Sequence, residues 1–527
     1  MIKISFVVPT YKTEKFLKPC LDSLLMQESD EFEIIVVLDG ENPECEKIVC
    51  SYDTHARKKF LRWIKIPHGG ACAARNAGAG LAKGEYVSFF SSDFVMFPGG
   101  TRRWIQALED KPDFIYSGYR WKQDNQLLDG GYPAEEFDAR QLEVHNYIDG
   151  GFPVKRELWK KYPWDVNCKS LNDWLFWLKM TRNGHKGKQI QDICYAAELP
   201  RPKGLSDDSN SHWLERVDYV KKQVGIKHRD ICVASLGAQY HAKKMAEILD
   251  ADFNITTIIE KPTRYKLFYL MGFYTQDASM ITSHMSMVRA MKARGTKVVV
   301  HWIGGDTWQL MKKPFIDVKK LVPMINKHVD VHLCENKRCA KELAEMGIDA
   351  KVVPVPVHDE RELLPQPKRF RVAMYYPGHT LDPTDKNMRA TLFAIADKLP
   401  KVKFNFYGMP GAVGYDNHHR NVHHCGRVDF NKFGKSNSVI VRLCRHDSVP
   451  IAAVDFILMG RRAITNIEKF KYMSYIDGKK GLIEPVCEEI MRMKNSTRSL
   501  AEQKRAREYY LNEFKQSKYI RRIRGLA

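Results

Sequence analysis

Short β-branched and aromatic runs alternate with longer amphipathic stretches along most of this chain, and that alternation constrains the fold more than any other feature. "ISFVVPT" is followed by "EKFLKPCLDSLLMQ" and then by "FEIIVVLDG"; "GACAARNAGAGLA" reads as a helix after a Gly-rich loop, and "EYVSFF" as a strand. Alternation of this kind predicts an α/β chain built on a parallel sheet covered by the intervening helices. The pattern fades near residue 200, where "ELPRPKGLSDDSNSH" is rich in Pro, Gly, Ser and Asp and reads as a linker. A second series runs from "DICVASL" through "NITTIIE", "ASMITSH", "TKVVVHWIGGD", "VDVHLCEN" and "AKVVPVPV". After the linker-like "HDERELLPQPKR", a third begins at "FRVAMYYPG" and continues through "VKFNFYGM", "SVIVRL" and "RRAITN". Three α/β units are expected, at about 1–205, 228–360 and 368–490, closed by a basic helix; as domains they divide the chain at 1–227, 228–367 and 368–527. A chain of 527 residues exceeds what one core supports, so several domains are expected on length alone.

Charge separates these parts. Residues 1–200 hold 27 Lys and Arg against 28 Asp and Glu, whereas residues 201–527 hold 57 against 35, so the whole excess of +21 lies in the second part. The densest stretch is the last, "QKRAREYYLNEFKQSKYIRRIRGLA". Such asymmetry predicts an anionic partner for that part, either nucleic acid or a membrane-associated glycan or lipid, against the simpler alternative of a solvated basic face. No apolar run is long enough to span a bilayer; the richest, "YKLFYLMGFYTQDASMITSHM", is broken by polar residues. The twelve cysteines contain no C-x-x-C pair, which points away from a zinc site or a disulfide framework and towards a reducing cytoplasm.

Five features of the first unit stand in a fixed order. They are "VVPTYK" (Val7–Lys12), "VVLDG" (Val36–Gly40), "GGACAARNAG" (Gly69–Gly78), "SSDFVMFPGG" (Ser91–Gly100), and "GGFPVKRELW" followed by "WDVNCKSLNDWLFW". Asp93 follows a strand-like run and precedes a Pro-Gly turn, the place where an α/β sheet meets its ligands. The succession resembles the inverting family-2 glycosyltransferases of the GT-A fold over about the first 205 residues. The resemblance implies a nucleotide-sugar donor, UDP-linked, whose nucleobase pocket is lined by Pro9 and Tyr11, with Asp39 accepting hydrogen bonds from the uracil or ribose and Arg75 reaching the diphosphate. It implies that Asp173, in "LNDWLFW", is the catalytic base, taking the acceptor hydroxyl's proton as that oxygen attacks the anomeric carbon. The plainer reading of Asp173 is an acid that stabilises the start of a helix.

The sequence departs from the family at its metal motif. Where the family has the sense Asp-x-Asp, this chain reads Ser91-Ser92-Asp93, and where the family has Arg-x-His it reads Arg201-Pro202-Lys203. Asp93 is then the remaining metal or ribose contact. Either Mg²⁺ or Mn²⁺ is held there, or the Lys203 ammonium does part of the ion's work and the site is metal-independent.

The second and third units resemble a small GT-B pair of the family-4 retaining type, on "HWIGGDTW" (His301–Trp308), the lysine of "DPTDKN", and the stretch from "GRVDF" to "RRAITN". The resemblance implies donor contacts from Lys386, Arg427, and Asp447 and Asp455, which stand at the family's Glu-x7-Glu spacing as shorter acids. The "HHRNVHH" cluster has irregular spacing and reads as a polar loop, not a metal site. The expected activity is glycosyl transfer from a nucleotide sugar to an acceptor hydroxyl. The acceptor would be a glycan or lipid-linked glycan at the cytoplasmic face of the inner membrane. Alternatively it would be DNA carrying hydroxymethylated pyrimidines, modified in a host cytoplasm as phage glycosyltransferases do, or one half would be a non-catalytic platform for glycan or nucleic acid.

Overall fold

The computed structural model describes residues 2–124, 126–199, 212–254, 264–312, 316–356, 361–375, 386–408, 419–426, 428–444 and 449–527. The described residues form two compact units, Met1–His228 and, from Arg229, the remainder of the chain.

The first unit holds eleven strands among its described residues: β1 (Ile4–Thr10), β2 (Phe32–Asp39), β3 (Leu61–Ile66), β4 (Tyr86–Ser88), β5 (Phe94–Met96), β6 (Phe114–Tyr116), β7 (Tyr119–Gln123), β8 (Gln126–Tyr132), β9 (Val154–Lys155), β10 (Gly187–Gln189) and β11 (Tyr195–Glu198). Seven make one sheet in the order β10-β6-β9-β4-β1-β2-β3, and four make a second in the order β5-β11-β7-β8. The pairs around β1 and β2 are parallel, while β9 runs antiparallel to β4 and β6, so the larger sheet is mixed. Every residue of β2 is buried, because helices cover both faces of the sheet; this is why "FEIIVVLD" is an unbroken apolar run bounded by acids and not an alternating one.

The second unit carries two more sheets, each parallel throughout. Strands β12 (Ile231–Ala234), β13 (Asp252–Phe253), β14 (Leu267–Met271), β15 (Lys297–Trp302), β16 (Val331–Cys334) and β17 (Ala350–Val352) lie in the order β13-β12-β14-β15-β16-β17. Strands β18 (Arg371–Tyr375), β19 (Lys403–Tyr407), β20 (Val422–Gly426), β21 (Val439–Arg442), β22 (Arg462–Thr465) and β23 (Ser474–Tyr475) lie in the order β20-β19-β18-β21-β22-β23. In both, the chain starts inside the sheet and winds outward in two directions, the Rossmann-like plan. The most apolar run of the sequence is β14, buried along its whole length, and the helix Ala278–Ala293. No helix of the described residues is long and apolar enough to cross a membrane. "NITTIIE", expected as a strand, lies almost wholly outside the described residues.

The basic C-terminal stretch divides into two helices. Leu500–Glu513, opened by a Ser499–Glu502 capping box, buries Ala506 and Tyr510 in the core under the second sheet. Gln516–Arg524 instead buries Tyr519 and Ile523 on the first sheet, where the Tyr519 hydroxyl lies 2.6 Å from that of Tyr269.

Three buried histidines make the second unit sensitive to acid. His332 accepts the Trp302 indole N–H at Nδ1 and faces the Asn326 Oδ1 with Nε2, a pairing that only the neutral ring satisfies. Burial lowers its pKa to about 4, that of His284 to about 4 and that of His301 to about 3. An unfolded chain protonates these rings near 6.5, so stability is lost as the pH falls from there towards 4. Asp306, pushed up to about 6 by burial, acts oppositely between its ordinary 3.8 and 6. Three groups against one leave a net loss of at most about 3 kcal/mol per pH unit as the solution is acidified. Melting of the second unit, followed from pH 7 to 4.5, should shift to lower temperature; an unchanged or rising midpoint would contradict this.

Candidate active site

The C-terminal ends of the parallel strands β1, β2 and β3 form one edge of the site. Asp39, the last residue of β2, is buried, and both its oxygens are engaged. Oδ1 accepts the Gly69 N–H at 2.7 Å, Oδ2 accepts the Gly70 N–H at 3.0 Å, and His68 Nδ1 lies 3.1 Å from Oδ2. The next residue must be Gly: Gly40 has φ +86°, and a Cβ there would lie 2.9 Å from that of His68. Tyr11, just past the half-buried Pro9, stacks on the His68 ring at 4.2 Å and 23°. Tyr11 and Asp39 thus both meet His68, while Pro9 lies on the neighbouring strand opposite Val37.

The helix Ala71–Leu81 starts from the Gly69–Gly70 turn and carries Arg75. Its guanidinium lies 4.2 Å over the Trp164 ring, and Nη1 donates to Asn172 Oδ1 at 3.1 Å. The side chain expected to reach the diphosphate is thus engaged beside Asp173. Asp173 itself sits in the first turn of the helix Asn172–Thr181, after Leu171 with its φ of 55°. Its Oδ1 accepts the Trp174 N–H at 2.9 Å, and its Oδ2 accepts the Asn146 amide at 2.9 Å. The carboxylate is half-buried and held at both oxygens. The segment Asp149–Gly151 passes directly beneath it: a Cβ on Gly150 would lie 3.3 Å from that of Asp173 and 3.1 Å from the Trp164 ring, and one on Gly151 would lie 2.9 Å from the Phe94 ring. The segment Asp149–Gly151 therefore packs against both Asp173 and the Phe94 ring.

Asp93 occupies the turn between β4 and β5, half-buried, with no hydrogen bond or ion pair among the described residues. In the second sheet β11 runs between β5 and β7; Ala197 pairs with Phe94, the residue after Asp93, and Glu198 pairs with Lys122. Lys122 and Glu198 form a buried ion pair, and Glu198 also accepts the Asp124 N–H at 3.1 Å. The fully buried Cys20 thiol, pushed up by burial, feels both the Asp93 and the Lys122 charge. An ion held here would rest on one protein carboxylate together with water and the donor's own phosphate oxygens. The described residues contain no group of three His, Cys, Asp or Glu side chains able to hold one, Glu198 is committed to Lys122, and Asp93 is a single carboxylate. Lys203 lies outside the described residues.

Sequence reading missed His68, Asn146, Lys122 and Glu198. A buried Lys and a buried Glu in otherwise apolar strands were a usable signal, since such groups are rarely buried unless paired; His68 and Asn146 carried none.

In the second unit, Arg427 and Asp447 lie outside the described residues, and Lys386 is described only as the first residue of the helix Lys386–Lys398. Asp455 is buried within the helix Ile451–Leu458, where its Oδ2 accepts from Arg361 Nη2 at 3.3 Å; Arg361 also donates to Asn431 Oδ1. Where a donor contact was expected, this oxygen faces a structural arginine.

The profile of the family described as "Glycosyl transferase family 2" matches residues 5–162, the segment that supplies Pro9, Tyr11, Asp39, Arg75 and Asp93. Residues 5–162 form a family 2 glycosyltransferase domain. An uncharacterised glycosyltransferase of Methanocaldococcus jannaschii is 24% identical over 207 residues, covering 37% of this chain and 71% of its own length. One of Rickettsia prowazekii is 28% identical over 191 residues, 34% of this chain and 58% of its own. Among solved structures, S. aureus TarS 1-349 in complex with UDP-GlcNAc is 19% identical, covers 56% of this chain and 80% of that one, and superposes with a TM-score of 0.37. The family match and the glycosyltransferase relatives support a transferase; both curated alignments are longer than the profile match, and the chain spans 58% of the Rickettsia relative's length.

Proposed function

We propose that the first unit transfers a sugar, with inversion, from a UDP-sugar to an acceptor hydroxyl, and that Asp173 is its base. The observation that carries this reading is the Asp173 carboxylate, held at both oxygens in the first turn of its helix, next to the Arg75–Asn172 hydrogen bond. In the transfer the acceptor oxygen attacks the anomeric carbon and its proton passes to Asp173. The bond from that carbon to the diphosphate oxygen breaks, and its electron pair leaves with the nucleotide. Pro9, Tyr11 and Asp39 form the nucleobase end, and Asp93 faces the ribose or diphosphate. Charge on the leaving diphosphate needs a cation already in place, and Lys203 is the proposed one. Incubating the whole chain with a panel of nucleotide sugars, with and without chelator, tests this. Donor turnover should appear and persist in chelator; turnover that vanishes with chelator and returns with Mn²⁺ would make Asp93 a metal ligand and remove Lys203 from the role.

The two parallel sheets of the second unit support its reading as a GT-B-like pair with a further donor site around Lys386, Arg427 and Asp447. Its acceptor-side partner is anionic. Lys515, Lys518, Arg521 and Arg522 are exposed on or beside the last helix and take part in no ion pair among the described residues, and from Phe514 onward the sequence holds no acid. This face suits a cytoplasmic membrane surface bearing the acceptor glycan, with the enzyme peripheral to it. It equally suits DNA as acceptor, and salt separates the readings: affinity for duplex DNA at low salt, falling linearly on logarithmic axes, would favour DNA.

A further inference from the structure

We propose that Asn146 is a positioning residue for the transfer: its amide fixes the plane of the Asp173 carboxylate and favours the ionised form that can take the acceptor's proton. The proposal rests on the reading of Asp173 as the base.

A carboxylate offers about four lone-pair positions, and it is free to turn unless more than one is tied down. In Asp173 two are tied down. Oδ1 accepts the N–H of Trp174, the next residue, and Oδ2 accepts Asn146 Nδ2 at 2.9 Å from 27 residues back along the chain. Asn146 is itself immobilised. Its Oδ1 accepts the Ile148 N–H at 3.2 Å, and its carbonyl accepts the Tyr132 hydroxyl at 3.0 Å. A backbone N–H can only donate, so the amide oxygen belongs to Ile148 and the NH2 to Asp173; the flipped amide satisfies neither partner. On one side of Asn146, His145 is buried between Gln141 and Glu135; on the other, Tyr147 is buried with its hydroxyl donating to the Asp138 carbonyl. The N–H offered to Asp173 therefore stands at a fixed point.

The neutrality of this donor matters as much as its place. A cation there would hold the carboxylate so firmly ionised that it would take up a proton poorly, and a second carboxylate would keep one of the pair protonated. The charged groups nearby are engaged elsewhere. Arg75 donates to Asn172 and covers the Trp164 ring, Asp165 pairs with Lys179 at 3.2 Å, and Asp149 accepts the Gly151 N–H. The Cys72 and Cys168 thiols feel the Asp173 charge, and burial pushes both up, so they stay neutral. Among the described residues, Asn146 is the one side chain that bonds to the Asp173 carboxylate.

Release of UDP from UDP-glucose, UDP-galactose and UDP-N-acetylglucosamine, with water as acceptor, is followed against pH in the full chain. The variants are Asn146→Asp, Asn146→Ala and Asp173→Asn. Asn146→Asp keeps the shape and the bond from Ile148, but it sets a carboxylate against Asp173, so that the two share a proton. Turnover at pH 7 should fall at least about tenfold, and the acid limb of the pH profile should move up by at least about one unit, with turnover returning at higher pH. Asn146→Ala removes the donor and adds no charge. Its limb should move the same way by less, because an N–H bonded to a carboxylate favours the charged form. Its kcat should fall roughly tenfold, with KM for the nucleotide sugar within about twofold. A side chain that only holds the fold together would lower the melting midpoint and leave the limb in place. An unmoved limb in Asn146→Asp, with turnover at pH 7 within about twofold of the wild type, would overturn the role of Asn146 and leave Asp173 as the base. Turnover near that of the wild type in Asp173→Asn, or none in the wild type with any of the three sugars, would remove the reading of Asp173 and this proposal with it.

Discussion

Asp173→Asn should lower sugar transfer by about 10²- to 10⁴-fold while leaving UDP affinity within about twofold. The amide has the carboxylate's shape but cannot accept the acceptor hydroxyl's proton, so under the proposed role the attacking oxygen loses its base as the new bond forms. Nucleotide affinity should be retained, because the proposed nucleobase end, at Pro9, Tyr11 and Asp39, belongs to other elements of the unit. The substitution also has a local cost. Asp173 satisfies the Trp174 N–H with one oxygen and the Asn146 amide with the other, whereas asparagine offers one oxygen for the two donors. One donor is left without its partner, at about 1–3 kcal/mol. Thermal melting would therefore register a modest loss of stability, and this must be separated from the loss of turnover by assaying well below the midpoint. Turnover near that of the wild type would move the chemistry to the second unit.

Lys122→Met should destabilise the first unit by about 3–5 kcal/mol, because it leaves Glu198 charged, buried and without its ion-pair partner. Methionine fills the volume of the lysine stem, so the loss would not come from a cavity. Removing both charges, in Lys122→Met with Glu198→Gln, should recover most of the stability, since a neutral buried pair no longer carries the desolvation cost of two ions. Denaturant unfolding followed on the tryptophans, most of which lie in the first unit, reads both variants. A single variant within about 1 kcal/mol of the wild type would mean that Glu198 finds another partner or takes up a proton at little cost.

Much of the arrangement was legible from local pattern. "ISFVVPT" and "FEIIVVLD" are strands and "GACAARNAGAGL" turns into a helix because burial on both faces demands continuous apolar runs and a Gly-rich approach to the helix start. The order of the motifs also located Asp93, Asp173 and Asp39 at strand ends or at the start of a helix. The engagement of these groups was not legible. Arg75 was expected at a diphosphate because a cation after a Gly-rich turn can reach one; which way it turned was decided by Trp164 and Asn172, far along the chain. Asp455 was expected at a donor through the family-4 resemblance, and the Arg361 it accepts from stands in a stretch whose sequence reads as a linker.

The sequence by itself determined the elements and the positions where chemistry can occur, because periodicity, β-branching and turn residues act within a few residues of one another. It also determined that the charge excess lies in the second part. Only the tertiary structure decided what each of those positions faces. Asp39 and His68 meet because β2 and β3 pair in parallel; Asp173 and Asn146 meet because the Asp149–Gly151 segment packs beneath the helix that carries Asp173; and Lys122 and Glu198 meet because β7 and β11 lie in register. It likewise split the basic C-terminal stretch into one helix for each sheet of the second unit, since Tyr510 and Tyr519 find different cores. Hydrogen bonds and ion pairs act over a few ångströms, and residues distant in the chain come that close only once the sheets have formed.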